Sequence, residues 1–139
     1  MARVARTFEY AITLDRAGTL LAEDEVVLEL PEAWSPEHLV LAALTRCVIV
    51  SLRHHAERAG VDARADASAS GVVTARDEDD RYAFVDVVCR LDVELDPIPD
   101  EGPGELLARA ESGCFIGSSL TAKPRYEWRV NGEPVSASG

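Results

Sequence analysis

Hydrophobic and polar positions follow two different patterns along the chain, and each pattern predicts a different kind of secondary-structure element. Near the start, two segments rich in β-forming residues, FEYAITL and EVVLEL, flank the turn sequence DRAG. We therefore expect an N-terminal hairpin that ends at Pro31. The central segment that follows is almost continuously apolar and predicts a helix.

The signals at both ends of this helix are specific. Ser35 is a candidate N-cap, Pro36 suits the first helical position, and Glu37 favours the positive end of the helix dipole. Gly60 is expected to end the helix after about 24 residues. Residues 39–44 and 48–50 are apolar on every face of the helix, so each face must be buried against another element. A chain this short cannot bury every face by itself, so a sheet and a partner subunit are expected to pack against the helix.

The second half of the chain predicts another hairpin and a short helical segment. ARADASASGVVTARDEDD predicts a strand with an acidic turn, and RYAFVDVVCRLDVEL predicts a long strand that pairs with it. GELLARAES and CFIGSSL predict short helices, and RYEWRV predicts a last strand. Residues from about 131 to 139 are expected to be a polar tail.

Composition and charge exclude several classes of protein. The 139 residues, 47% of them hydrophobic and 28% charged, predict one folded domain over residues 1–139. The formal net charge of −11 repels nucleic acid and anionic membranes, so neither is an expected partner. No apolar run approaches the ~18 residues that cross a bilayer, and the first residues lack a secretory apolar core. A cytoplasmic protein is expected.

The three cysteines are the main candidates for chemistry. They are too few for a secreted disulfide framework and lack the paired spacing of a zinc site, which favours redox or nucleophilic chemistry. Cys47 lies within the apolar helix, where a plain core role is the alternative. Cys114 begins a predicted helical turn, where free backbone N–H groups favour a thiolate. Cys89 lies within a strand and is expected to be structural.

Other polar residues give weaker signals on their own. Glu37 is compatible with a simple dipole partner, and Arg16 with a solvated turn residue. Side chains of His54 and His55 point about 100° apart on a helix and cannot comfortably share one metal ion. We expect no metal site.

Taken together, the helix start SPEHLVLAALTRC, the later segment ESGCFIGSSL and the order of the elements resemble the OsmC/Ohr family. These are the osmotically inducible and organic-hydroperoxide-resistance proteins. The positions in register with the family pattern are Pro36, Glu37, Leu39, Cys47 and Cys114. The resemblance extends over essentially the whole chain.

The resemblance implies an α+β fold of antiparallel sheets wrapped around a long buried central helix, assembled as an intertwined homodimer. It implies a thiol-dependent peroxidase that reduces organic hydroperoxides, or less selectively hydrogen peroxide, with no cofactor. Cys47 would be the peroxidatic residue, Cys114 would resolve it as a disulfide, and Glu37 would be the pocket carboxylate. A dithiol or a lipoyl-type protein would be the reductant.

Two parts of the resemblance leave alternatives open. Arg16 is the best match to the family's pocket arginine, with Arg3 and Arg6 as alternatives. Trp34 stands where the family has a glycine-rich loop, and Phe115 stands where a proline usually follows the second cysteine. These departures favour an alternative function, a catalytically weak OsmC-like binding or stress-sensing protein. A third possibility is that both cysteines are plain core residues.

Helix geometry predicts how the two subunits share the site. Ten residues separate Glu37 from Cys47, which places them about 15 Å apart along a straight helix and about 80° apart in direction. The segment between them has no glycine or proline that would break the helix. If both line one pocket, Glu37, together with Arg16, is expected to enter from the partner subunit.

Overall fold

The structure is a computed structural model that describes residues 4–23 and 25–138. Its internal contacts divide the chain into two compact units, Met1–Ser35 and Pro36–Gly139. A single domain over residues 1–139 stays a prediction.

The first unit contains three short strands: β1 (Ile12–Leu14), β2 (Leu20–Ala22) and β3 (Val27–Leu28). They form an antiparallel sheet in the order β1-β2-β3. Most of their apolar side chains are exposed; Ile12, for example, is 67% exposed. Among the described residues, this small sheet therefore has no buried apolar core of its own.

The predicted N-terminal hairpin is corrected by this arrangement. β1 pairs with β2 and not with the later EVVLEL segment, which contributes β3 as a third strand. The Asp15 carboxylate accepts hydrogen bonds from the N–H groups of Ala17 and Thr19, each at 2.9 Å. These bonds close a tight turn, so the residues that follow directly must pair with β1.

The second unit begins with α1 (Pro36–Arg58), and the predicted long helix is confirmed. It ends in a Schellman motif, because Gly60 adopts φ +72° and the Val61 N–H bonds back to the Ala56 carbonyl at 2.9 Å. Glycine adopts this left-handed conformation without the steric cost that a side chain brings. Both predicted ends of the helix are therefore correct.

The predicted second hairpin is also confirmed, as β4 (Asp62–Ala75) paired antiparallel with β5 (Tyr82–Asp96). Next come α2 (Gly104–Ser112) and α3 (Phe115–Ser119), which carry the chain back across the sheet. The last predicted strand, β6 (Arg125–Val130), pairs with β5 in parallel because of this return.

The C-terminal segment forms a strand, β7 (Glu133–Val135), which pairs antiparallel with β6. The prediction of a polar tail is wrong for these residues. Asn131 and Gly132 connect the two strands with φ values of +50° and +86°. Two successive positive φ values define the tight hairpin turn that Asn-Gly pairs favour.

The core of this unit lies between α1 and one face of the sheet, which has the order β4-β5-β6-β7. Alanines 63, 65 and 67 of β4 face the core, and their small side chains let α1 pack closely against this strand. The opposite face is polar, with an Arg90–Glu127 ion pair at 3.0 Å between β5 and β6. The predicted α+β architecture with a central helix is confirmed, and the parallel β5–β6 pair is an added feature.

By length and apolar composition α1 could also cross a membrane, which the sequence did not lead us to expect. The core helix of a soluble protein meets the same criterion. Three of its residues, Leu44, Val48 and Leu52, are fully buried in the core.

Candidate functional site

Cys47 and Cys114 meet where α1 packs against α3. Cys47 lies in the middle of α1 and is partly exposed, whereas Cys114 directly precedes α3 and is fully buried. Both are free thiols, and they lie close enough for Cys47 to raise the pKa of Cys114. The structure thus brings together two of the predicted site residues, with only one of them open to a substrate.

Two groups lie beside the Cys114 sulfur. The backbone N–H of Gly117 donates to Sγ at 3.4 Å, and the hydroxyl of Tyr126 is close enough to lower the pKa of the same thiol. Burial nevertheless raises the pKa of Cys114 above its usual range, and the neighbouring Cys47 adds to this effect. The predicted backbone donor is present. Burial raises the pKa of Cys114 by more than this donor lowers it, so the expected preference of Cys114 for the thiolate form is not found.

Tyr126 is a site residue that sequence reasoning missed. The β5–β6 register places it opposite Cys89, and its side chain reaches Cys114. Burial raises the pKa of the Tyr126 hydroxyl, and the neighbouring Cys114 raises it further. Alternation in RYEWRV places Tyr126 on the inward face with Trp128, but no local signal identifies Cys114 as its partner.

Cys89 lies in the core beside this site and is fully buried. Burial raises its pKa to about 11, because a charged thiolate loses its water there. A thiol with this pKa is almost entirely neutral at neutral pH, so it is a poor nucleophile. The structural role predicted for Cys89 is compatible with this environment.

Glu37 lies at the N-terminal end of α1, away from the middle of the helix, and the candidate arginines belong to the first unit of the chain. Glu37 is exposed in the first turn of α1, and the helix runs unbroken to Cys47, so the two lie about 15 Å apart along its axis. Arg16 is exposed in the β1–β2 turn of the first unit. The Arg6 guanidinium lies 5.4 Å from the centre of the Phe8 ring, and Arg3 lies outside the described residues. Pairing of Glu37 or Arg16 with Cys47 stays a prediction.

One turn beyond Cys47, Ser51 faces the segment that carries Cys114. Its hydroxyl is buried and has no hydrogen-bond partner among the residues that the structure describes. A Cβ atom added to Gly113 would lie 2.6 Å from Ser51 Oγ and 3.2 Å from His55 Nε2. Burial lowers the pKa of His55, and the adjacent His54 charge lowers it further. His54 and His55 hold their rings edge to face, with centroids 5.1 Å apart.

Comparison with known proteins places this site in a wider context. A family model described as OsmC-like protein matches residues 29–129. A search of curated proteins finds no match.

Several solved structures share the fold. The organic hydroperoxide resistance protein OhrB of Bacillus subtilis is 19% identical, with 91% of this chain and 98% of that chain covered and a TM-score of 0.54. An OsmC-like protein of unknown function from Vibrio cholerae is 15% identical, with coverage of 88% and 100% and a TM-score of 0.72. An organic hydroperoxide resistance protein, OsmC, from Legionella pneumophila is 16% identical, with coverage of 92% and 98% and a TM-score of 0.55. At these identities the likeness establishes the fold.

Proposed function

The chain belongs to the OsmC-like protein family, and from this premise we propose that it is a thiol-dependent peroxidase. Its substrates are organic hydroperoxides and, less selectively, hydrogen peroxide. The names of the Bacillus subtilis and Legionella pneumophila proteins refer to organic hydroperoxide resistance, which supports this substrate class. The apolar residues around Cys47 on α1 also favour an apolar peroxide over a polar one.

The observation that carries the proposal is the meeting of a partly exposed thiol and a buried thiol. Cys47 is partly exposed and open to a peroxide, whereas Cys114 is fully buried beside it. This difference supports the proposed roles, because the first oxidation needs access to the substrate and the second step needs only contact between the two sulfurs.

The reaction follows from thiol chemistry. The Cys47 thiolate attacks one peroxide oxygen, the O–O bond breaks, and the alcohol leaves after it takes up a proton. Cys47 is then a sulfenic acid. Cys114 attacks the Cys47 sulfur, hydroxide leaves as water with the proton from Cys114, and a disulfide forms. An external dithiol, free or carried by a lipoyl-type protein, reduces the disulfide by two exchange steps and is itself oxidised to a disulfide.

Arg16 and Glu37 complete the proposed site. A guanidinium near Cys47 would stabilise its thiolate, and a carboxylate would hold the guanidinium in a planar, bidentate pair. Because Glu37 lies about 15 Å along α1 from Cys47 of its own chain, it enters from a partner subunit in this proposal. The protein is accordingly an intertwined homodimer, and we place it in the cytoplasm.

The decisive experiment measures peroxide consumption with a dithiol as reductant. We expect Cys47→Ser to lower turnover by on the order of a thousandfold or more, because it removes the nucleophile. We expect Cys114→Ser to allow about one turnover and then to accumulate sulfinic acid at Cys47, detected by mass spectrometry. Cys89→Ala is the matched control, since it removes the buried third thiol, and it should keep its activity.

Other outcomes would overturn the proposal. Unchanged turnover in Cys47→Ser would exclude the mechanism, and an unchanged free-thiol count after peroxide treatment would make both cysteines plain core residues. The second candidate function is that of a weakly catalytic binding or stress-sensing protein. It is favoured by Phe115, which directly follows Cys114 and is 58% exposed, as expected for an apolar ligand site. It predicts stabilisation by hydroperoxide analogues without peroxide reduction.

A further inference from the structure

We propose that Tyr126 is a positioning residue for Cys114: its hydroxyl holds and activates the buried sulfur so that this sulfur attacks oxidised Cys47 before a second peroxide does. The inference rests on the proposed function for the role of Cys114. The hydrogen bond that the proposal requires, from the Tyr126 hydroxyl to Cys114 Sγ, can be tested without any peroxide.

The space around Gly117 shows how closely Tyr126 approaches the thiol. A Cβ atom at Gly117 would collide with the Tyr126 oxygen and would lie 3.4 Å from Cys114 Sγ. The phenol oxygen thus occupies the space that a side chain at this position would fill. Glycine thus leaves room for the hydroxyl next to the sulfur.

The Tyr126 ring is held in place from its other side. It stacks with Trp128, with ring centroids 6.4 Å apart and an interplanar angle of 24°. The Trp128 indole N–H in turn donates to a Glu111 carboxylate oxygen at 2.8 Å, which ties β6 to α2. A hydroxyl on a fixed ring keeps its direction, so it can hold one sulfur in one position.

Cys114 depends on its donors because its surroundings are otherwise apolar. Its side chain is fully buried among core residues, where an unsolvated thiolate is costly. The Gly117 N–H and the Tyr126 hydroxyl both lower the pKa of Cys114 against this effect. Because burial raises the pKa of Tyr126 itself, the phenol remains protonated and stays a donor throughout the working pH range.

The consequence for the reaction concerns the resolving step. Cys114 must give up its proton as its sulfur bonds to the Cys47 sulfur, while hydroxide leaves Cys47 and takes that proton to form water. A donor on the Cys114 sulfur stabilises the negative charge that forms there. Without it the sulfenic acid persists for longer, and a second peroxide oxidises it to sulfinic acid.

The first test measures the pKa of the Cys114 thiol directly. In a Cys47→Ser, Cys89→Ala background Cys114 is the only thiol, and its titration is read from the Cβ chemical shift of cysteine labelled with carbon-13. We expect Tyr126→Phe to raise the midpoint by about one pH unit, equal to about a tenfold loss of thiolate at a given pH. Tyr82→Phe is the control, since Tyr82 is 79% exposed, and should leave the midpoint unchanged.

A second variant keeps the test decisive if Tyr126→Phe does not fold. Gly117→Ala places a Cβ atom against the Tyr126 oxygen and should displace the hydroxyl, which gives an upward shift of similar size. A midpoint that does not move in either folded variant would overturn the inference.

The last test uses the full chain with all three cysteines and a stoichiometric amount of an organic hydroperoxide. We expect Tyr126→Phe to form the disulfide about tenfold more slowly and to gain sulfinic acid at Cys47, while the first oxidation of Cys47 keeps its rate. Equal disulfide rates in both proteins would overturn the role of Tyr126 and leave the peroxidase intact. If the unaltered protein does not react with peroxide, the proposed function fails, and the titration still decides the hydrogen bond.

Discussion

Gly113 shows how a single residue sets the distance between α1 and the segment that carries Cys114. Its φ of −88° is open to any amino acid, so backbone conformation does not require glycine here. The limited space requires glycine, because an added Cβ atom would lie 2.6 Å from Ser51 Oγ and 3.2 Å from the Arg109 carbonyl oxygen. Ser51 lies one turn after Cys47, so this close approach also brings the two thiols together.

We expect Gly113→Ala to lower the free energy of unfolding by about 1–3 kcal/mol, because the added methyl group overpacks this contact. Ser51→Ala should be neutral or stabilising, since it removes a buried hydroxyl that has no partner among the described residues. The double variant should recover part of the loss, because the nearest atom is gone. Urea denaturation measures the free energy of unfolding of the two single variants and the double variant, with Ser68→Ala as an exposed control. Simple additivity of the two effects would contradict the steric explanation.

At the scale of elements, the turn between β6 and β7 secures the end of the sheet. The Asn131 amide accepts from the Leu95 N–H at 2.9 Å and donates to the Leu95 carbonyl at 3.2 Å. Its backbone N–H also bonds to the Val93 carbonyl at 2.8 Å. The paired residues of β5 and β6 end at Val93 and Val130, so the side chain of Asn131 continues the ladder beyond the last strand residue.

Two substitutions separate the roles of Asn131. Asn131→Gly tolerates the φ of +50° but leaves Leu95 without its side-chain partner, and we expect a loss of about 1–2 kcal/mol in the free energy of unfolding. Asn131→Ala should lose about 1 kcal/mol more, because alanine adopts this conformation at a steric cost. Chemical denaturation provides the comparison. If Asn131→Gly is as stable as the unaltered protein, the amide contributes nothing to the sheet.

At the scale of the whole molecule, exposed apolar side chains on the single chain support the proposed homodimer. Ile12 and Leu14 of β1 are 67% and 64% exposed, and Val50 of α1 is 59% exposed. Exposed apolar side chains on alternate positions of one strand, as at Ile12 and Leu14, are typical of a surface that binds a partner, and a second copy of the chain is the partner that the proposed site needs.

Co-expression of a Cys47→Ser chain with a Glu37→Ala chain tests the shared site. If Glu37 acts on Cys47 of the other subunit, the heterodimer has one intact site and one with both defects, so it should show about half the activity of the unaltered dimer. Each parent homodimer should be far less active. A heterodimer as inactive as its parents, or a fully active monomer, would contradict subunit sharing. Two separable affinity tags isolate the heterodimer for the measurement.

Local chemistry determined much of the second unit from sequence alone. The ends of α1 follow from Pro36 and Gly60, because helix termini depend on neighbours within one turn. The β4–β5 hairpin follows from alternation with period two, which is also local. The Asn131-Gly132 turn was predictable in the same way, and the expectation of a tail was wrong because it gave more weight to the polar composition.

Tertiary structure alone decided which distant residues meet. The cysteines were visible as candidates, but the contact between Cys47 and Cys114 requires α3 to pack on α1. Tyr126 reaches Cys114 only because α2 and α3 return the chain to a parallel place beside β5. Burial reversed the expected preference of Cys114 for a thiolate, since solvent exposure depends on the whole fold. Periodicity and capping act over a few residues, whereas these contacts join segments that lie far apart in the sequence, and only folding brings them together.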